Sequence, residues 1–390
     1  MYLLWAFTFV FLVISQCAHG DLLQQQVLAK SASGFSQNLY RQVAISEEQI
    51  VYSPYSIHSA LTMTYLGARG VSAREMSQVL GLTSLQDPHQ TYHDLIVDWN
   101  SAESVRLDVC NAIFTNPYET ILPSFISDVD RYYLAPANKL DVTEPERAIN
   151  ELVANKTHNM IPEILKPGSL DDGTDIVLVN VVFFNGTWEN QFLSELTQQQ
   201  DFHKLGGAIS QVSMMNEAEK LKNYKKDNVN GVDVLELPFK GNRFSMYFAL
   251  PQKMDGISDL ENLLATPGKV DELFDGLTSK VVRVSLPKFK IETSLDLINP
   301  LIELGMYSEF DDRADFSGIN GLGDIFIDKA IHKAVIDLQE TGTVASAATV
   351  ISMTKGMIIP RATFLADHPF MFFLRDNVTG QLLFQGKFSG

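Results

Sequence analysis

The pattern of apolar and polar positions changes character along the chain. Over residues 25–41 and 55–68 apolar side chains recur at spacings of three and four, the repeat of a helix with one buried face. The second helix follows Ser53-Pro54 and has Ser56 near its start, where a hydroxyl can satisfy a free amide. Val71 to Leu80 and residues 147–160 predict two more helices, the latter ending near Pro162. Strands dominate from there on. Asp175 to Phe184 (DIVLVNVVFF) is almost wholly apolar and β-branched, as in a strand covered on both faces. Val232 to Leu237 and Arg243 to Leu250 flank Lys240-Gly241-Asn242, a hairpin signal. Val281 to Ile291 predicts a further strand, and Phe370 to Arg375 and Leu382 to Phe388 flank Asn377 to Gly380 in a closing hairpin. Helices come mostly first and strands mostly later, so the pattern predicts an α+β fold with large sheets. No linker, repeat or low-complexity block interrupts it, and one compact unit is expected.

The first twenty residues stand apart. They carry no charged side chain, and Leu3 to Ile14 form an apolar run of 12 residues. A bilayer span takes about 20 residues, so the run fits the hydrophobic region of a secretory signal, with the small residues Ala18 and Gly20 where cleavage needs them. A membrane anchor is the alternative. Cleavage after Gly20 removes Cys17 and leaves Cys110 as the one cysteine of a mature domain over residues 21–390. A secreted chain without a disulfide must draw its stability from a large core. Three acceptor triplets for N-glycosylation, at Asn155, Asn185 and Asn377, suit the same route.

Composition narrows the function. The chain has 390 residues, 45% apolar and 20% charged, which argues for a globular protein. With 30 basic and 47 acidic side chains the net charge is −17, and such a surface repels phosphate backbones and anionic membranes. Two cysteines exclude a zinc ribbon, an iron–sulfur cluster or a disulfide scaffold. No G-x-S-x-G, H-E-x-x-H, C-x-x-C or P-loop occurs, and the histidines lie in no metal-ligand spacing, so no enzyme, metal or cofactor is indicated. Gly318 to Gly323 (GINGLG) reads as a surface turn.

One segment is chemically odd. Residues 341–359 (TGTVASAATVISMTKGMII) carry one charged side chain, Lys355, where the chain average would give about four. Proline, which deletes a ladder donor, is absent until Pro360. On alternation Thr343, Ala345, Ala347 and Thr349 face one side, so small side chains would slide beneath a covering helix. The segment is suited to becoming a central strand. The same composition also suits a plain buried strand or a flexible linker.

Eight stretches in fixed order carry a resemblance to a known family. They are VYSPYSIHSAL at 51–61, LVNVVFFNGTWENQF at 178–192, LELPFKGNRFSMYFALP at 235–251, LPKFKIE at 286–292, LGMYSEF at 304–310, ADFSGI at 314–319, IHKAVIDLQETGTVASAAT at 331–349 and DHPFMFFLRDNVTGQLLFQGKF at 367–388. In these the chain resembles the serpins from about residue 27 to its end, and its leader and ADHPF motif look like those of secreted animal members, arthropod ones among them. The resemblance implies three β-sheets, eight or nine helices and an exposed reactive-centre loop at about 341–360. It also implies a mechanism. A serine protease attacks the loop and forms an acyl-enzyme, the cut loop enters the main sheet as a new strand, and the protease is trapped in a covalent 1:1 complex. The inhibitor contributes no catalytic group.

The same resemblance assigns residues. Glu340 begins the hinge and its carboxylate pairs with Lys288; Gly342 is the pivot; Thr343 is the first side chain buried on insertion. Ala345, Ser346, Ala347, Ala348 and Thr349 match the small-residue hinge of inhibitory members, while Val344 departs from the Glu often found there. Ser53, Ser56, Asn180 and His332 match the cluster that controls sheet opening, with Gln49 where the family often has Asn, and Trp188 matches the aromatic residue at the breach where insertion starts. Each also reads as ordinary core packing. Counting from Gly342 as in typical inhibitors puts the scissile bond at Gly356–Met357; the only cation of the loop puts it one residue earlier, at Lys355–Gly356, which suits a trypsin-like pocket. Cleavage after Met353 or Met357 by a chymotrypsin-like enzyme stays open. The expected partner is thus an extracellular serine protease, met by a monomer. No Lys or Arg occurs from Glu75 to Val105, so heparin activation is not expected. A ligand carrier or chaperone and an inhibitor of cysteine proteases are the competing functions.

Overall fold

The computed structural model describes residues 2–44, 48–101, 105–342 and 361–390, with side chains from Asp21 onward except at Arg361. Thr343, Ala345 to Thr349 and both candidate scissile bonds, Lys355–Gly356 and Gly356–Met357, lie outside the described residues.

Strands β1 (Ile50–Tyr52), β2 (Val105–Thr115), β3 (Ala137–Lys139) and β4 (Ile176–Gly186) alternate with helices in the first half. β5 (Gln198–His203), β6 (Ile209–Asp227), β7 (Val232–Pro238) and β8 (Phe244–Pro251) follow in quick succession. β9 (Thr278–Pro287), β10 (Phe289–Asp296), β11 (Ile327–Leu338), β12 (Arg361–Leu365), β13 (Phe370–Asp376) and β14 (Leu382–Phe388) complete the set. The central sheet has five strands in the order β10-β11-β4-β2-β3. Nine further strands hydrogen-bond in the path β1-β14-β13-β8-β7-β6-β9-β12, with β5 on β6. A register shift between Glu217 and Lys220 divides that path into two sheets sharing β6 and β9, so three sheets build the α+β fold.

The amphipathic segments of the first third are helical. Residues 25–41 lie in a continuous helix, Tyr2–Val43. Pro54–Tyr65 is capped by Ser53, whose hydroxyl accepts the Ser56 amide at 3.1 Å, and eleven of its residues are buried beneath the central sheet. Gly70–Val79 and Pro145–Lys156 match the other two expected helices. The latter stops four residues earlier than its apolar pattern suggests, just before His158 and Asn159 take positive φ of 50° and 62°. Among the described residues ten α-helical segments occur; Lys269–Leu273 and Ser317–Asn320, of five and four residues, are little more than single turns. The latter opens the GINGLG stretch, which then turns at Gly321 and Gly323 with φ of 86° and 75°.

One strand expectation is corrected. Val281 to Ile291 is not a single strand: β9 ends at Pro287 and β10 starts at Phe289 in another sheet. Pro287 has no amide to donate, so the ladder is broken there and the chain crosses between layers. Both hairpins form as the turn residues require, with Gly241, Asn242 and Gly380 at φ of 83°, 58° and 82°. The main core extends from Leu28 to Phe388 through all three sheets. A second apolar cluster lies on the opposite face of the central sheet, under the Pro145–Lys156 helix and the segment that follows it.

Candidate functional site

The central sheet contains a seam. β10 pairs antiparallel with β11, and β2 pairs antiparallel with β4, but β11 and β4 run parallel. Their ladder extends from Ile327–Ile176 to Val335–Phe183 and ends there, although β4 continues to Gly186 and β11 to Leu338. The seam is therefore open at one end. At that end the chain leaves β11 through a tight turn, in which the Gln339 amide donates to the Gly342 carbonyl at 2.8 Å and the Gly342 amide donates back at 3.0 Å.

Gly342 is required by space as well as by backbone conformation. Its φ is 123°, and a Cβ there would lie 2.1 Å from the Gly186 carbonyl oxygen and 2.9 Å from Thr187 Cα. The turn is fastened to the end of β4: the Trp188 amide donates to the Thr341 carbonyl at 3.0 Å and the Phe192 amide to the Glu340 carbonyl at 2.9 Å. Glu340 adds side-chain ties. Lys288 Nζ lies 3.1 Å from its Oε2, and the Thr197 hydroxyl donates to its Oε1 at 2.9 Å. Burial opposes the charge on Glu340, but hydrogen bonds from its own amide, Lys288 and Thr197 outweigh it and hold the carboxyl below its ordinary range. Thr197 precedes β5 and carries no motif, which is why the sequence alone does not single it out.

Trp188 closes the open end of the seam from below. It is 1% exposed, stacks on Phe239 with centroids 4.4 Å apart and planes at 16°, and its indole N–H donates to the Gln339 carbonyl at 3.0 Å. It is a core residue and a hinge contact at once.

Midway along the seam lies a polar cluster in an otherwise apolar layer. Ser53, Ser56, Asn180 and His332 are all buried. The Ser53 amide donates to His332 Nε2 at 3.1 Å, so the ring proton sits on Nδ1 and is donated to Asn180 Oδ1. The Asn180 amide group donates to the Ser56 carbonyl at 3.0 Å and also reaches the Ser56 hydroxyl and Asn111 Oδ1. Asn111 in turn donates to the Ser59 hydroxyl at 3.2 Å. Burial pushes the His332 imidazole down to about 3, so the ring is neutral at any physiological pH. The cluster joins the helix Pro54–Tyr65 to β2, β4 and β11, spanning the seam. Asn111 and Ser59 belong to it and escape the sequence reading. The hydrogen bonds just described do not involve Gln49.

The three glycosylation triplets sit differently. Asn155 is exposed in the last turn of the Pro145–Lys156 helix. Asn185 is half-buried in β4 opposite Arg106. Asn377 has its amide engaged: it donates to the Ser245 hydroxyl at 2.8 Å and accepts from the Tyr247 hydroxyl at 2.8 Å.

Comparison with known proteins places this architecture. The model of the family described as serpin (serine protease inhibitor) matches residues 30–390. The chain belongs to the serpin family. Leukocyte elastase inhibitor of Sus scrofa is 35% identical to this serpin, covering 93% of this chain and 99% of its own. The Homo sapiens protein of the same name is 34% identical over the same shares. Among solved structures, Serpin48 of the insect Tenebrio molitor superposes with a TM-score of 0.85 at 30% identity, covering 94% of this chain and 98% of its own. Human thyroxine-binding globulin superposes with 0.86 at 25%, covering 94% and 99%. With such relatives this serpin is a protease inhibitor and not an enzyme, and serine proteases are its class of partner.

Proposed function

We propose that this serpin is a secreted suicide-substrate inhibitor of trypsin-like serine proteases, acting from the domain 21–390 after loss of residues 1–20. The protease serine attacks the carbonyl carbon of Lys355. The bond to the Gly356 nitrogen breaks, the new amine leaves that carbonyl carbon while β12, β13 and β14 stay in their sheets, and an ester links protease to inhibitor. The freed hinge then enters the seam between β4 and β11. Some 15 residues at about 3.3 Å each carry the protease roughly 50 Å, and its site is distorted before water can cleave the ester.

The observation that supports this reading is the parallel seam beside Gly342. A strand that leaves β11 through the 339–342 turn and folds back into the seam runs antiparallel to both neighbours. One parallel ladder is thereby replaced by two antiparallel ones, the pairing that is stronger per residue. From Thr343 to Thr349 the side chains other than Val344 are small, as a strand covered on both faces would favour. Such a fold is held short of its most stable arrangement by a kinetic barrier. Of the three acceptor triplets Asn155 is the one presented for glycosylation.

The leukocyte elastase inhibitor relatives favour a second reading, in which the target is elastase-like; the count from Gly342 puts the bond at Gly356–Met357, where glycine suits such a pocket poorly. Incubation of residues 21–390 with a panel of trypsin-, elastase- and chymotrypsin-like enzymes and with a papain-like cysteine protease, followed by denaturing gels, separates these readings. A covalent complex stable in SDS with trypsin is expected. Cleaved inhibitor alone with every enzyme would leave a carrier or chaperone as the function.

A further inference from the structure

The turn Ser308–Phe310 lies on the chain that joins β10 to β11, and it packs against the Gly70–Val79 helix and against β11. Polar contacts fasten it to that helix. The Ser72 and Ser308 hydroxyls are 3.0 Å apart, and Ser72 also accepts the Asp315 amide at 3.1 Å. The Glu75 carboxylate accepts the Tyr307 and Ser308 amides at 2.9 and 2.8 Å. Within this fastening Glu309 is wholly buried, and neither of its carboxyl oxygens is in an ion pair or a well-formed hydrogen bond. No cation answers it. Arg74, on the same helix as Glu75, donates to the Gly70 carbonyl at 3.0 Å, and Arg313 is held by both oxygens of Asp311. On β11, Asp328 accepts the Asp175 amide at 2.6 Å with Lys329 beside it, His332 is neutral, Lys333 pairs with Glu292 at 2.7 Å, and Asp337 accepts from the Gln339 side chain at 2.9 Å. The charges that reach Glu309 are those of Glu75 and Asp311, both negative. A carboxylate in that place is neither hydrated nor compensated, so the neutral acid is the form that fits. The acid has a proton to donate, and the Glu75 carboxylate stands within its reach as the acceptor.

We propose that Glu309 is kept as the neutral acid and shares its proton with Glu75, making a proton-dependent clasp between the Gly70–Val79 helix and the chain that joins β10 to β11. Burial, and then the charges of Glu75 and Asp311, push the Glu309 carboxyl up to about 8. Burial acts the same way on Glu75, but the Ser308 and Tyr307 amides outweigh it and hold that carboxyl below its ordinary range. In the unfolded chain Glu309 titrates near 4.5. Between 4.5 and about 8 the folded chain therefore carries a proton that the unfolded chain has lost. The clasp is at full strength in acid, and its contribution falls as pH rises through that interval, opposite in sign to the effect of a buried neutral histidine. Above it a second charge is forced in beside Glu75, and the turn must open to water. An alkaline fluid thus loosens the connection between two strands of the central sheet without any ligand.

The test uses residues 21–390 and two variants. Glu309→Gln is neutral at every pH and can still donate to Glu75, so it keeps the clasp and loses its proton dependence. Urea titrations at pH 6 and pH 8 should show the unfolding constant of the parent rising at least tenfold more than that of this variant, because one proton of difference between the two states is worth about tenfold per pH unit. Glu75→Gln keeps an acceptor for the Ser308 amide and removes the neighbouring charge, so Glu309 should lose its proton about one pH unit earlier. Infrared spectra read the proton itself. The carbonyl stretch of a protonated carboxyl should be present in the parent at pH 7, fade toward pH 9, and be missing from Glu309→Gln. A parent without that band at pH 7, or an equal pH dependence in parent and Glu309→Gln, overturns the proposal. Hydrogen exchange on the parent decides even if a variant does not fold. From pH 7 to pH 9 the Tyr307 and Ser308 amides should lose protection beyond the intrinsic rise in exchange, and unchanged protection refutes the clasp.

Discussion

Acid should weaken this protein through its buried histidines, His332 first. The ring is fully buried, accepts the Ser53 amide on Nε2 and donates from Nδ1 to Asn180. A second proton would set an N–H against the Ser53 N–H and place a charge in an apolar layer, which is why burial lowers its pKa from 6.5 to about 3. In the unfolded chain the same ring titrates near 6.5. The unfolded state therefore binds more protons between these values, and stability falls as pH drops below about 6.5, continuing until about pH 3. Between pH 7 and pH 5 the loss from this one residue is about 2 kcal/mol. His58 and His89, each lowered by burial to about 4, add losses of the same sign. His332→Gln offers an uncharged acceptor and donor at the same place. Urea titrations followed by circular dichroism at pH 7 and pH 5 should show the parent losing about 2 kcal/mol more than the variant over that interval. A difference below about 0.5 kcal/mol would refute the assignment of a neutral, doubly bonded ring.

Three further outcomes are expected. Gly342→Ala should displace the hinge turn, because its Cβ would lie 2.1 Å from the Gly186 oxygen; thermal unfolding should shift downward, and an unshifted midpoint would mean that the turn relaxes freely. Thr343→Arg should leave the fold intact and turn inhibitor into substrate, since an unpaired cation buried on insertion costs several kcal/mol; undiminished trapping of trypsin would show that this residue is not the first one seated. Lys355→Ala should slow inhibition of trypsin at least tenfold, about 1.4 kcal/mol in the barrier. The released peptide should start at Gly356 by mass spectrometry, whereas a start at Met357 would move the bond one residue onward.

What the sequence made legible followed the strength of its local signals. β4 and both hairpins are readable because a continuous apolar run or a glycine turn has few competing explanations. β2 is not: its first half is half-exposed and carries Arg106 and Asp108, so neither alternation nor a clean run marks it, and Asn111 is lost with it. The Pro88–Asn100 helix carries a weak signal although Asp87 caps it by accepting the His89 and Gln90 amides, each at 3.0 Å, because its apolar stripe is narrow. Pro287 misled in the other direction, by sitting inside an apolar run that spans two sheets. The polar cluster under the seam joins residues up to 279 positions apart in sequence, which only the folded chain brings together.

The placing of the tryptophans gives the protein an optical probe of its own. Three occur, and Trp5 lies within the apolar run Leu3–Ile14, outside residues 21–390. Trp99 is tied elsewhere, its indole N–H donating to buried Asp376 at 2.8 Å. Trp188 alone stacks at the open end of the seam, with its N–H on the Gln339 carbonyl. Any event that swings residues 339–342 away alters the polarity around one indole and leaves the other as an internal reference. The emission spectrum of unlabelled residues 21–390 should thus record the first movement of the hinge in real time, before any covalent product accumulates.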